Sequence, residues 1–247
     1  MLKSLKNFAF SSLRVQGNVI LNKLSKKLAG ECLVSPKHAQ SIFNGSAIQP
    51  ENKNSGYLIL VHVGSDSLHQ HSVITVAQVW GETSWPNQTR RADVIRISSS
   101  KNNDIHELIA TINECLADYP NATVLINAYG AGSGLAQNLT SLGIYYKEIH
   151  WGGPCFVRLN KNEYVNRRSQ AYLGLDGAIR QGRFKIKANI DQQSVIKELC
   201  QIHYKFDKEN RWNVLSIADH KEKGICITGL IETFAYIYLE GISYLTV

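Results

Sequence analysis

Residues 57–63, YLILVHV, form an apolar run with none of the alternation that a half-exposed strand shows. A short run of this kind belongs in the middle of a sheet whose two faces are both covered. The rest of the chain must therefore supply helices for both sides. SVITVAQVW (72–80) and ADVIRIS (92–98) follow as two more strands, joined by turn-rich GETSWPNQTR. The alternation in DVIRIS places the third strand nearer an edge.

Helical patterns come next. NDIHELIATINECLADYP offers Asn103 or Asp104 as N-cap, Pro120 beyond its end, and Ile105, Leu108, Ile109, Ile112 and Leu116 on one face. ATVLINA reads as a fourth strand, SGLAQNLTSLG as a helix ending at Gly143, and IYYKEIHW as a fifth strand. The order β-β-β-α-β-α-β predicts an α/β fold: three antiparallel strands, then strand–helix units, giving a mixed sheet flanked by helices. Beyond GGP (152–154) the pattern predicts a long helix over 162–182, a short strand RFKIK and a helix near 191–200. A hairpin over 201–217 and a closing apolar helix over 226–240 complete it. No repeat or second core is visible, so 31–247 reads as one domain.

Charge is concentrated at one end. Of the 27 Lys and Arg, six lie in residues 1–30, where there is no acid, leaving 21 basic against 20 acidic side chains elsewhere. The net charge of +7 thus describes an arm rather than a whole surface. Interleaved with Leu2, Leu5, Phe8 and Leu13, this basic amphipathic arm either packs as a helix or binds phosphate or another anionic partner. Lys23, Lys26 and Lys27 are its nucleic-acid-binding candidates; Arg167 and Arg168, on the long helix, either hold phosphate or lie on a solvated face. The five cysteines form no CxxC pair, which points to a reducing, cytoplasmic setting and away from a zinc ribbon. No apolar run approaches the roughly 18–20 residues of a membrane span.

The glycines of GAGSGLAQN read as a structural turn, since no GxxxxGKS/T occurs; neither a P-loop nor ATP is expected. His62, His69 and His71 raise a zinc reading, against which isolated histidines beside a cleft are the plainer one. Trp151 beside GGP either lines a groove or packs at the sheet end, and the aromatics of FAYIY (234–238) read as core.

Five ordered segments together carry a resemblance. They are ECLVSPKHAQSIF, VHVGSDSLHQHSVITV, INAYGAGSGLAQNLTSLGI, YVNRRSQAYLGLDGAIRQGRFKI and KEKGICITGLIETFAYIYL. In this order they resemble the C-terminal nuclease domain of phage terminase large subunits, over roughly 31–240. The resemblance implies a ribonuclease-H-like fold and hydrolysis of DNA by two metal ions held between carboxylates. The family's acids fall at His62, Asn127 and Gly229, and its later acid at Glu232; His69 and Gln70 stand where an acidic pair is common. An amide lacks the charge that magnesium or manganese prefers, an imidazole suits softer ions, and glycine offers nothing. Asp66 and Glu232 are the remaining metal-ligand candidates.

The expectation is an inactive pseudo-nuclease, without a resident cofactor, in a bacterial host cell. It would bind DNA or a packaging component such as the other terminase subunit or the portal. The alternative is a weak metal-dependent endonuclease using Asp66 and Glu232, with Mg2+ or Mn2+ required only in that case. A protein-only regulator of packaging, and drift in a disused prophage gene, are the remaining readings.

Overall fold

A computed structural model describes residues 32–246 apart from 50, 52–53, 66–70, 84–87, 101–102 and 226–227. The arm over 1–30, with Lys23, Lys26 and Lys27, lies outside the described residues, as do Asp66, His69 and Gln70.

Helix α1 (Pro36–Ser41) leads into β1 (Gly56–His62), β2 (Ser72–Trp80) and β3 (Arg91–Ser100). Helix α2 (Ile105–Asp118) starts at Asp104, whose side chain accepts from the His106 N–H, and β4 (Thr123–Ile126) and α3 (Gly132–Ser141) follow. Then come β5 (Lys147–Glu148), α4 (Arg158–Glu163), α5 (Arg167–Arg180), β6 (Phe184–Ile186) and α6 (Gln192–Leu199). A separate hairpin of β7 (Tyr204–Phe206) and β8 (Trp212–Val214) precedes α7 (Ile217–Glu222) and α8 (Gly229–Tyr236).

The expected mixed sheet is present. Its order is β5-β4-β1-β2-β3-β6; β1, β2 and β3 are antiparallel neighbours, while β4 runs parallel to β1 and β5 parallel to β4. The apolar run that opened the sequence reading is at the centre, and its side chains divide between two cores. Leu58 and Leu60 join one with Tyr172 and Leu175 of α5 and Phe234 of α8. Ile59 and Val61 join the other with Leu108 and Ile112 of α2 and Leu135 and Leu139 of α3. All four β1 side chains are fully buried, each contributing about 1.5–3 kcal/mol relative to exposure. Among the described residues no helix is long and apolar enough to cross a membrane.

Three elements depart from expectation. The helix predicted over 162–182 is broken: α4 ends at Glu163, Tyr164 is extended and bridges to Trp212, and Asn166 caps α5 by accepting from the Ser169 N–H. The fifth strand pairs only at Lys147 and Glu148, because its one neighbour β4 is itself four residues long. Helix α7 was not expected, although Ser216 and Asp219 form a capping box that its sequence spells out.

Candidate functional site

The carboxyl ends of β1 and β4 meet the first turn of α8, and buried polar groups gather there. His62 is the last residue of β1, Asn127 follows β4, and Gly229 and Glu232 lie at the start of α8. Local backbone geometry fixes the β4 side of this meeting. A Cβ on Gly132 would sit 3.0 Å from the Asn127 carbonyl carbon and nearer still to its oxygen, so only glycine lets α3 begin so close to the strand end.

His62 and Gly229 share one volume. A Cβ on Gly229 would lie 2.8 Å from Cγ and 3.0 Å from Nε2 of His62, and inside the radius of Cδ2. The imidazole occupies the space that any side chain at 229 would need.

Glu232 is 2% exposed, and both of its oxygens are engaged. Trp151 Nε1 donates to Oε1 at 3.2 Å, Arg168 Nε donates to the same oxygen at 3.3 Å, and His62 Nδ1 lies 3.3 Å from Oε2. Burial pushes the carboxyl pKa up. The hydrogen bond from His62, the charges of Arg168 and His62, and the Trp151 N–H outweigh burial and hold it at about 2.

Asn127 neighbours this cluster at Tyr236, whose hydroxyl lies 3.4 Å from His62 Nδ1. The Asn127 Oδ1 atom is buried with no partner.

Arg167 and Arg168, expected to hold phosphate or face solvent, are 3% and 7% exposed. The Arg168 guanidinium donates to the carbonyls of Val214 (2.9 Å) and Leu215 as well as to Glu232. Arg167 donates to the Glu240 carbonyl at 2.9 Å and the His150 carbonyl at 3.4 Å, with Phe156 stacked over it at 4.1 Å. The two guanidiniums are tertiary clamps, one on the carboxylate and one on the loop after β5. Trp151 does both things weighed for it: it packs edge-on against Tyr236 and also lines a cleft.

The first turn of α8 is positioned by Glu198 of α6, whose carboxylate accepts from the Thr228 N–H and, at 3.0 Å, from the Thr228 hydroxyl. Burial raises its pKa from 4.5 to about 7, against the pull of those two bonds and with a small addition from the charge of Glu232. The folded state thus binds this proton more tightly than the unfolded chain does. Stability is accordingly expected to fall as pH rises from about 4.5 to about 7. Glu198→Gln should flatten that decline, worth up to about 3 kcal/mol, in urea unfolding compared at about pH 5 and about pH 8.

Solved structures share this architecture. The large terminase nuclease from thermophilic phage G20c aligns with a TM-score of 0.57 at 13% identity, over 85% of this chain and 98% of that one. The nuclease domain of the large terminase subunit of bacterial virus Sf6 aligns with a TM-score of 0.55 at 14% identity, over 84% and 98%. The chain has the large-terminase nuclease fold. No family model and no curated protein sequence matches it.

Members of this fold have been solved with metal: the G20c nuclease with magnesium and with cobalt, and a variant of the Sf6 domain with manganese. The described residues of this chain do not fit such an ion. The Glu232 oxygens face an arginine, an indole N–H and an imidazole rather than open space. His62 turns Nδ1 toward that carboxylate and Nε2 toward Gly229. Asn127 offers one uncharged oxygen. Among the described residues, no group of three or more His, Cys, Asp or Glu could hold a metal ion.

Proposed function

We propose that this protein is a non-cleaving member of the terminase-nuclease fold. It binds DNA or a component of a phage packaging machine, such as the other terminase subunit or the portal, within a bacterial host cell. One observation carries the non-cleaving reading: the carboxylate of Glu232 is closed by Arg168, Trp151 and His62. Two-metal hydrolysis needs several ionised oxygens free to bridge cations roughly 3.5–4 Å apart. A weak endonuclease using Asp66 and Glu232 would first have to strip the arginine and the imidazole from that carboxylate.

The binding half of the proposal rests on the six cations and absent acids of residues 1–30, Lys23, Lys26 and Lys27 among them. Arg167 and Arg168 are spent inside the fold. Incubating the full chain with supercoiled DNA and magnesium or manganese is expected to give no nicking; cleavage that disappears in Glu232→Gln would overturn the proposal. Duplex binding is expected to weaken with salt, with a log–log slope no steeper than about −5 for six cations. Absence of any salt-dependent duplex binding would leave a protein component as the partner.

A further inference from the structure

Beside the buried cluster lies a cleft of about 420 Å³, lined by Asn127, Tyr129, His150, Trp151, Gly152 and Gly153. Its size suits a small ligand. Asn127 and His150 place it beyond the carboxyl ends of the parallel strands β4 and β5, where open α/β sheets bind their ligands.

Four features define what it can take. Tyr129 is 58% exposed, and its hydroxyl is 2.7 Å from His150 Nδ1, with the two rings 5.5 Å apart. Two aromatic rings are thus fixed to each other at the rim instead of packing inward. Asn127 also lines the cleft, but its Oδ1 is buried, so recognition there falls to the rings. Among the described residues, no lysine, arginine, aspartate or glutamate lines the cleft. Space above Gly152 is open, since a Cβ there meets no atom within 4 Å.

A ligand that answers all four is flat and uncharged where it enters. We propose that the cleft takes an unpaired nucleobase of single-stranded nucleic acid. The base stacks on the Tyr129–His150 wall. Stacking tolerates any base, and a duplex keeps its bases paired and stacked on one another. The inference rests on the nucleic-acid reading above and narrows it to a strand with free bases.

The test uses the full chain and fluorescence anisotropy with three labelled probes: a short single-stranded oligodeoxynucleotide, an abasic strand of equal length, and a duplex. Gly152→Leu projects from a Cβ position that meets no atom within 4 Å, and Tyr129→Ala removes the exposed ring; unchanged melting temperatures confirm that both fold. Each variant is expected to weaken the base-bearing strand about tenfold or more, toward the affinity of the abasic strand, while duplex binding stays as it was. Equal affinity for base-bearing and abasic strands, or no effect of Gly152→Leu, would overturn the inference. Persisting duplex binding would then leave the broader function standing, and loss of all nucleic-acid binding would remove its DNA arm as well. Competition by N-acetyltryptophanamide but not by free nucleosides would give the cleft to a protein side chain, and would also overturn it.

Discussion

Gly229→Asp made alone is expected to destabilise the folded chain by about 3–5 kcal/mol, read as a shift in the urea midpoint. Two costs combine. The new Cβ would fall on the His62 ring, 2.8 Å from Cγ and 3.0 Å from Nε2, and the ring is held in place by Glu232 and Tyr236. The new carboxylate would also enter a buried cluster whose guanidinium and imidazole already serve Glu232. Gly229→Ala isolates the steric part, at about 1–3 kcal/mol. His62→Ala vacates the shared volume, so the double variant His62→Ala, Gly229→Asp should be less unstable than the sum of the single changes by about 1 kcal/mol or more. Strict additivity would mean that the ring and the helix start do not compete for space.

Removing the carboxylate is the second large effect. Glu232→Ala leaves the Arg168 guanidinium, the Trp151 N–H and the His62 ring buried without their shared acceptor, at an expected cost of about 3–5 kcal/mol. The same group sets an acid limit. Its folded pKa of about 2 lies below the ordinary 4.5. The stability it adds is therefore fully present above about pH 4.5 and is lost as pH falls through about 2. That loss amounts to about 3 kcal/mol. Glu232→Gln should lower stability at neutral pH and remove this part of the acid dependence, checked by urea midpoints from about pH 6 down to about pH 2.5. An unchanged acid slope in the Gln variant would place the acid-sensitive group elsewhere.

Much of the fold was legible because its signals are local. The unalternating YLILVHV demanded a covered central strand, and β1 is central with a core on each face. The glycines after β4 announced a tight strand-to-helix turn, and Gly132 sits against the Asn127 backbone. The chemistry available at positions 62, 127, 229 and 232 could be judged one residue at a time, from the donor each side chain offers.

What sequence reasoning missed depends on distant partners. Nothing near Tyr164 shows that it will pair with Trp212 and interrupt a helix. Adjacent arginines on a helix read as phosphate-holding or solvated unless one knows that the carbonyls of Val214, Leu215 and Glu240 await them. The shared volume of His62 and Gly229 was invisible for the same reason. The resemblance treats the two positions separately; in the structure the ring of one fills the space that a side chain at the other would need.

Manganese titrated into the full chain and followed by calorimetry tests most directly whether the cluster around Glu232 is closed to a cation. With Glu232 held by Arg168, Trp151 and His62, no saturable heat is expected from the wild-type chain. Saturable binding that disappears in Glu232→Gln would contradict that closure.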